Sequence, residues 1–247
     1  MLKKFGLLGH NISYSLSPKI HTEYYKANGI DAVYELIDTP VLVSVFDRLR
    51  CMDGFNVTQP YKQEILPYIN EFRAPMLAIN TVKIIDGKFI GYNTDGAGFH
   101  AHVKELNIDF KDKVALVLGA GGAATAIVPI VASEGAKVFI YNRSFEKAST
   151  LATACYCEGH RPEAISRKGM PKLKPQVIIN CTTLGLKGEN CLPCGIDLSR
   201  LEFAYDTIYN PPLTPFLTEA KKQGANTANG YRMLECQAYE AIKIWLE

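Results

Sequence analysis

Between Lys113 and Ser144 the sequence leaves few choices of local structure. The apolar run Val114-Ala115-Leu116-Val117-Leu118 passes through Gly119-Ala120-Gly121-Gly122-Ala123-Ala124 into small and aliphatic residues up to Ser133. Glu134-Gly135 follows, and then a second apolar run, Val138-Phe139-Ile140-Tyr141. That order predicts strand, tight turn, helix and strand, with Gly135 suited to the left-handed position that ends a helix. Gly119 permits the sharp turn, Gly121 lets a diphosphate approach the main chain, and a small residue at 124, here alanine, lets helix and strand pack closely. Gly119, Ala120, Gly121, Gly122 and Ala123 are therefore candidate contacts to a dinucleotide at the helix N-terminus.

The ribose is chosen roughly 20 residues further on, at the end of the second strand. A site for NAD places an acidic residue there, whereas this chain has Asn142-Arg143-Ser144. Arginine offers a planar fork of donors to a 2′-phosphate, and Ser144 adds a hydroxyl at the start of the next helix. The expected cofactor is NADP(H), with Asn142, Arg143 and Ser144 among its contacts. The plainer reading of Arg143 is a surface arginine after a strand.

With 247 residues and 47% hydrophobic content the chain can bury two modest cores, and two domains are expected. The 27 basic and 25 acidic residues leave a net charge of +2, too small a field to favour nucleic acid or an anionic membrane. No apolar run approaches the ~20 residues that span a bilayer, and Met1-Leu2-Lys3-Lys4-Phe5 lacks a signal-peptide core, so a cytoplasmic protein is expected. Seven cysteines exclude a complete disulfide framework. Cys155-x-Cys157 and Cys191-x-x-Cys194 offer four thiolates, but they lie in separate segments without a completing histidine, and no metal is expected.

At the start, strand Phe5-Gly6-Leu7-Leu8-Gly9 is followed by the hydroxyl-rich loop His10 to Ser17. Ser17-Pro18 predicts a helix start with serine as the cap. Ser13 and Ser15 have no such duty, and hydroxyls leading to a helix N-terminus suit a carboxylate or polyol as well as an ordinary polar loop. A strand over Val33-Ile37 and a helix over Val41-Leu49 continue the alternation of a parallel sheet. Gly54 to Lys62 is a buried strand running into a polar turn and a helix start, where Lys62 alone would read as a solvated lysine. Ala78-Ile84 and Lys88-Tyr92 flank Asp86-Gly87, a hairpin signal, and Asn93-Thr94-Asp95-Gly96 leads to a helix over Gly98-Leu106.

Four of these segments, Ser15-x-Ser17-Pro18-x-x-His21, Asn56-Val57-Thr58-x-Pro60-Tyr61-Lys62, Asn80-Thr81 and Asn93-Thr94-Asp95-Gly96, resemble the shikimate dehydrogenase family in type, order and spacing. Gly119 to Ala123 and Asn142-Arg143-Ser144 resemble the same family's NADP site, so the resemblance covers essentially the whole chain. It implies NADPH-dependent, reversible reduction of 3-dehydroshikimate to shikimate, on the route to chorismate and the aromatic amino acids. It assigns Lys62 and Asp95 to catalysis, and Ser15, Ser17, Thr58, Asn80, Tyr209 and Gln237 to the substrate. Thr182, in the loop after the strand Gln176-Asn180, and Gly230, before the last helix, join the cofactor contacts. The last helix, Met233 to Trp245, carries Gln237, which on propensity alone would sit on an exposed face. The chain departs from the family's common pattern at Asn11, Tyr14, Thr125, Ser144 and Arg232. Loss of an arginine at 125 would weaken phosphate binding, and Arg232 in place of glycine would crowd the nicotinamide end or change which acid is preferred.

The expected fold is α/β: a substrate domain over 1–98 completed by a C-terminal helix at 230–247, and a Rossmann-like domain with a parallel sheet over 99–229. A quinate/shikimate dehydrogenase of broader specificity and a non-catalytic NADP-binding sensor on the same fold are the alternatives. Expected partners are small molecules only, with the protein a monomer or homodimer.

Overall fold

The computed structural model describes residues 2–73, 78–156 and 159–247. Contacts divide the chain into two compact units, residues 1–99 with 234–247, and residues 100–233. Among the described residues no helix is long and apolar enough to cross a membrane.

In the first unit, β1 (Lys3–Gly9) leads to α1 (Ser17–Ala27), β2 (Ala32–Asp38), the short α2 (Phe46–Arg50), β3 (Gly54–Val57), the one-turn α3 (Tyr61–Glu64), β4 (Glu71–Phe72), β5 (Thr81–Ile85) and β6 (Lys88–Tyr92). Helix α4 (Asp95–Glu105) follows. The strands form one sheet in the order β2-β1-β3-β5-β6-β4. Here β1 is parallel to β2 and β3, as alternating strands and helices predict, while β5 is antiparallel to β3 and β6, so the sheet is mixed. Asp86 and Gly87 both hold positive φ, 50° and 73°, the conformation a two-residue hairpin turn needs.

This register decides where polar side chains collect. Asn56 pairs with Thr81 and Thr81 with Tyr92, so the carboxyl ends of β3 and β6 and the amino end of β5 share one edge of the sheet. The carboxyl end of β1 joins them, since Leu8 pairs with Val57. The opposite side chains of these strands fill a core around Leu8, Ile37, Phe55, Val57, Ile79 and Phe89.

One local expectation fails. Ser17 is not a capping residue: it is the first residue of α1, Leu16 occupies the cap position, and no side chain caps the helix. The Ser17 backbone is already helical, so its hydroxyl is directed elsewhere, and Pro18 alone marks the helix start.

The second unit contains β7 (Val114–Leu118), α5 (Gly122–Ser133), β8 (Lys137–Tyr141), α6 (Phe145–Ala154), β9 (Glu163–Ala164), β10 (Val177–Asn180), β11 (Phe203–Asp206), α7 (Pro215–Lys222) and β12 (Asn226–Ala228). All six strands are parallel, in the order β12-β11-β10-β7-β8-β9. The strand order reverses between β7 and β10, the point at which open α/β sheets take a ligand. Helix α5 buries Ala124, Ile127, Val128 and Val131. It ends as the sequence predicts, with Glu134 at the cap and Gly135 at φ 92°.

Helix α8 (Tyr231–Leu246) closes the chain, and its residues from Leu234 onward belong to the first unit. There Trp245 stacks on Phe5 at 4.5 Å and donates from Nε1 to the Val82 carbonyl at 2.9 Å. Gly54 faces the indole: a Cβ there would lie 2.5 Å from Nε1, so only glycine lets the helix end approach β3 this closely.

Candidate active site

At the polar edge of the first sheet, Lys62 stands in α3 and Asp95 opens α4. The Lys62 ammonium donates to Asp95 Oδ2, with Asp95 buried and Lys62 half-buried. The other carboxylate oxygen, Oδ1, accepts from Asn80 Nδ2 at 2.8 Å. Asn80 is itself fixed, because its Oδ1 accepts from the Thr94 amide at 2.7 Å and the Thr81 hydroxyl at 2.9 Å. Its Nδ2 also faces Thr94 Oγ1 at 3.0 Å and Gln237 Oε1 at 3.3 Å. Gln237 is buried, not on the exposed face that propensity suggests, and its amide donates to the Leu234 carbonyl at 2.9 Å.

Of the other residues expected to meet substrate, Ser15 lies half-buried in the loop after β1, donating to Ser17 Oγ at 3.2 Å. Thr58 follows β3, half-buried, its backbone amide bonded to the Leu8 carbonyl at 2.8 Å. Tyr209 belongs to the second unit, three residues beyond β11. Asn56, Thr81 and Thr94 also belong to this network, each lying inside one of the motifs shared with the resembled family. The signal for them was a polar residue at a buried strand end. A lysine, a carboxylate and converging amides and hydroxyls can bind a small polyol and move a proton.

In the second unit, Gly119 follows β7 at φ 103°, where a Cβ would lie 3.0 Å from Thr182 Cγ2 and 3.1 Å from the Cys181 carbonyl oxygen. Gly121 is at the cap of α5, and a Cβ there would meet nothing within 4 Å. The amides of the first turn thus open onto free space, as an anion at a helix N-terminus requires. Ala120, Gly122 and Ala123 complete the turn, each half-buried. Thr125 is buried and donates to the Gly122 carbonyl at 2.7 Å, so it adds no charge or free hydroxyl to that turn.

At the end of β8, Asn142 donates to the Ser144 carbonyl at 3.0 Å. Ser144 caps α6 by accepting from the Lys147 amide, and its hydroxyl donates to Glu146 Oε2 at 2.8 Å. Arg143 is exposed and has no hydrogen bond or ion pair among the described residues, which leaves its guanidinium open to an anion. These features fit a dinucleotide with a 2′-phosphate.

Beyond β10, Thr182 donates to Asn180 Oδ1 at 2.7 Å, and Asn180 Nδ2 donates to Asp206 Oδ1 at 3.0 Å. Asp206 also accepts from the Ile208 amide at 3.0 Å and the Thr214 hydroxyl at 2.7 Å. Burial raises its pKa, opposed by these hydrogen bonds. One buried carboxylate therefore ties together the loops that carry Thr182 and Tyr209. Gly230 marks a close approach, since a Cβ there would run into the Thr207 carbonyl oxygen.

Arg232 is engaged by Glu105, Nε to Oε2 at 2.9 Å and Nη2 to Oε1 at 2.7 Å, and this fork lowers the Glu105 pKa. Among the described residues no group of three or more His, Cys, Asp or Glu is placed to hold a metal ion. Cys155 and Cys191 are buried and Cys194 is exposed, while Cys157 lies outside the described residues.

Comparison with known proteins adds names to this geometry. A family model described as the shikimate dehydrogenase substrate binding domain matches residues 7–85. A second, described as shikimate / quinate 5-dehydrogenase, matches residues 101–183. A shikimate dehydrogenase (NADP(+)) of Caldicellulosiruptor saccharolyticus is 37% identical over 261 residues, covering 100% of this chain and 93% of that protein. Among solved structures, a shikimate 5-dehydrogenase of Thermus thermophilus in complex with NADP(H) and shikimate is similar with a TM-score of 0.87 and 32% identity, covering 98% of this chain and 93% of its own. A ligand-free 5-ketofructose reductase of Gluconobacter sp. strain CHM43 has a TM-score of 0.82 and 30% identity, covering 100% and 93%.

Proposed function

The chain belongs to the shikimate dehydrogenase family, and from that premise we propose that it catalyses the reversible NADPH-dependent reduction of 3-dehydroshikimate to shikimate, on the route to chorismate and the aromatic amino acids. The observation that carries this reading is the Lys62–Asp95–Asn80 arrangement, an ammonium held by a buried carboxylate that is itself held by a buried amide. Residues 1–98 with the C-terminal helix bind the substrate, and residues 99–229 bind the cofactor.

When bound, the nicotinamide supplies or accepts the hydride. The chain's own part is proton transfer and orientation. Lys62 hydrogen-bonds to the carbonyl oxygen, stabilises the negative charge that develops there and gives it a proton; in the reverse direction it takes the proton back. Asp95 keeps the ammonium aimed, and Asn80 with Gln237 meets ring hydroxyls. Ser15, Ser17 and Thr58 bind at the carboxylate end, and Tyr209 is a further substrate contact. Gly119 to Ala123 take the diphosphate at the N-terminus of α5, Asn142 to Ser144 take the 2′-phosphate, and Thr182 and Gly230 border the nicotinamide side.

A second reading is broader action on related cyclic or linear polyols. The matching family description names quinate beside shikimate, and the fold likeness extends to a 5-ketofructose reductase. As part of the same proposal, the enzyme works in the cytoplasm, where its charged substrate and soluble cofactor are found, as a monomer or homodimer.

Steady-state kinetics of Lys62→Ala beside a cofactor titration test the reading. General acid–base assistance contributes about 10²–10⁴ in rate, so kcat should fall by that order with NADPH binding nearly intact. A kcat within a few-fold of the parent removes Lys62 from the chemistry.

A further inference from the structure

Asp38, the last residue of β2, has no part in the mechanism above, yet the loop that follows β1 is built on it. The parallel register sets Gly9 beside Asp38, so the chain leaves β1 next to the carboxylate. Asp38 Oδ1 accepts from the Asn11 amide at 2.9 Å, and Oδ2 accepts from the Ile12 amide at 2.9 Å. Two successive amides converge on one anion here because Asn11 is left-handed, at φ 55°, a conformation that asparagine adopts more readily than most residues with a side chain. His10 Nδ1 stands 3.6 Å from Oδ1. The hydrogen bond from the Ile12 amide is the largest of the causes that hold the Asp38 carboxyl below the usual range, so both oxygens remain acceptors near neutral pH.

The hold passes along the loop to the serines. Ile12 buries its side chain in a core with Phe5, Leu7, Tyr25 and Trp245, and its carbonyl accepts from the Ser15 amide at 2.9 Å, which closes a turn. Ser15 Oγ then donates to Ser17 Oγ and accepts from the Ser17 amide, each at 3.2 Å. Between Asp38 and Ser15 there stands only Ile12, bonded to both. The same stretch borders Thr58: the His10 amide donates to the Gln59 carbonyl at 3.1 Å, and a Cβ on Gly9 would lie 2.6 Å from both Ile12 Cγ2 and Thr58 Cγ2.

We propose that Asp38 is a positioning residue for substrate binding: by capturing the amides of Asn11 and Ile12 it fixes the turn that presents the Ser15 and Ser17 hydroxyls to the substrate's carboxylate. The assignment rests on the substrate-binding role given above to those serines. A carboxylate suits the place because each of its oxygens accepts from a separate amide, whereas an asparagine would offer one acceptor and turn an amino group toward the other amide. Neither Asp38 nor Asn11 lies inside the motifs shared with the family, and Asn11 is one of the positions at which the chain departs from the family's pattern. The clamp therefore acts on the shared serines from outside the shared motifs.

The test is Asp38→Ala, read as separate constants for the two ligands. The side chain is 39% exposed, so its removal takes little packing with it. The expected result is a shikimate KM raised roughly tenfold, the equivalent of one charge-assisted hydrogen bond, with kcat and the NADP+ dissociation constant each within about twofold of the parent. Asp38→Asn, which keeps one acceptor, should fall between the two. A double-mutant cycle with Ser15→Ala should be non-additive, because once the turn is released the Ser15 hydroxyl has little left to lose; the double variant should bind shikimate little worse than the weaker-binding single variant. If Asp38→Ala leaves shikimate KM unchanged while Ser15→Ala raises it, the role of Asp38 is overturned and the site assignment stands. If Ser15→Ala and Ser17→Ala both bind shikimate normally, the site assignment itself fails and Asp38 with it. Equal weakening of both ligands, or an additive cycle, marks Asp38 as structural only and also overturns the proposal. Should Asp38→Ala not fold, Asp38→Asn carries the same expectation at smaller amplitude, and an unchanged shikimate KM there overturns it.

Discussion

Asp95 receives the Lys62 ammonium on one oxygen and the Asn80 amide on the other, so the pair cannot reorient without breaking a buried hydrogen bond. Arg143 is the opposite case, an exposed guanidinium with no partner among the described residues. A free fork of donors at the end of β8 should bind the 2′-phosphate, and Arg143→Ala should remove roughly tenfold to a hundredfold of the preference for NADP+ over NAD+. The ratio of kcat/KM for the two cofactors measures this, and a parent that uses both equally would show that Arg143 does not discriminate. Individual residues were legible unevenly. Lys62 and Asp95 are 33 positions apart, and only the motifs around them pointed to one site; neither residue type nor period could have paired them. Ser17 looked like a helix cap because serine before proline usually is one. In the structure Leu16 takes the cap position and the Ser17 hydroxyl instead accepts from Ser15 Oγ at 3.2 Å.

Among the elements, the β7–α5–β8 unit was the most legible, because two buried parallel strands must be continuous apolar runs and the turn between them needs glycine. The hairpin of β5 and β6 was equally plain, since Asp-Gly supplies two positive φ values at low cost. What escaped were elements whose existence depends on neighbours. β4 and β9 are two residues each and form only because an edge of a sheet is already there to pair with. Gly230 was named through family resemblance, yet its physical reason, the Thr207 carbonyl in the space of a Cβ, appears only once β11 and α8 are in place. Gln237 is similar: the period of α8 marks an apolar face, but a glutamine buried beside that face is explained by Asn80, 157 positions away.

At the scale of the whole molecule, burial of His21 couples folding to pH. Its pKa falls from 6.5 to about 3 on folding, so below about pH 6.5 the unfolded chain binds a proton that the folded chain excludes, and stability declines as pH falls toward 3. Asp38, Asp53, Glu105, Glu134 and Asp197 act in the same direction at lower pH, since hydrogen bonds and cationic partners hold them below the usual carboxylate range and their contribution is lost as they protonate. Asp206, raised by burial, works the other way, contributing most below the usual carboxylate pKa and less as pH rises through its folded value. The midpoint of urea unfolding should therefore begin to fall near pH 6, and His21→Phe should delay that onset to below about pH 5. A parent midpoint flat down to pH 5 would contradict this. The claim on which the rest depends is the reaction. The most direct measurement incubates the purified chain with NADP+ or NAD+ and follows reduced-cofactor absorbance on adding shikimate, then quinate. NADPH formation that requires shikimate, with NAD+ and quinate each much poorer, is the predicted result; no shikimate-dependent reduction of either cofactor by the folded chain would contradict it.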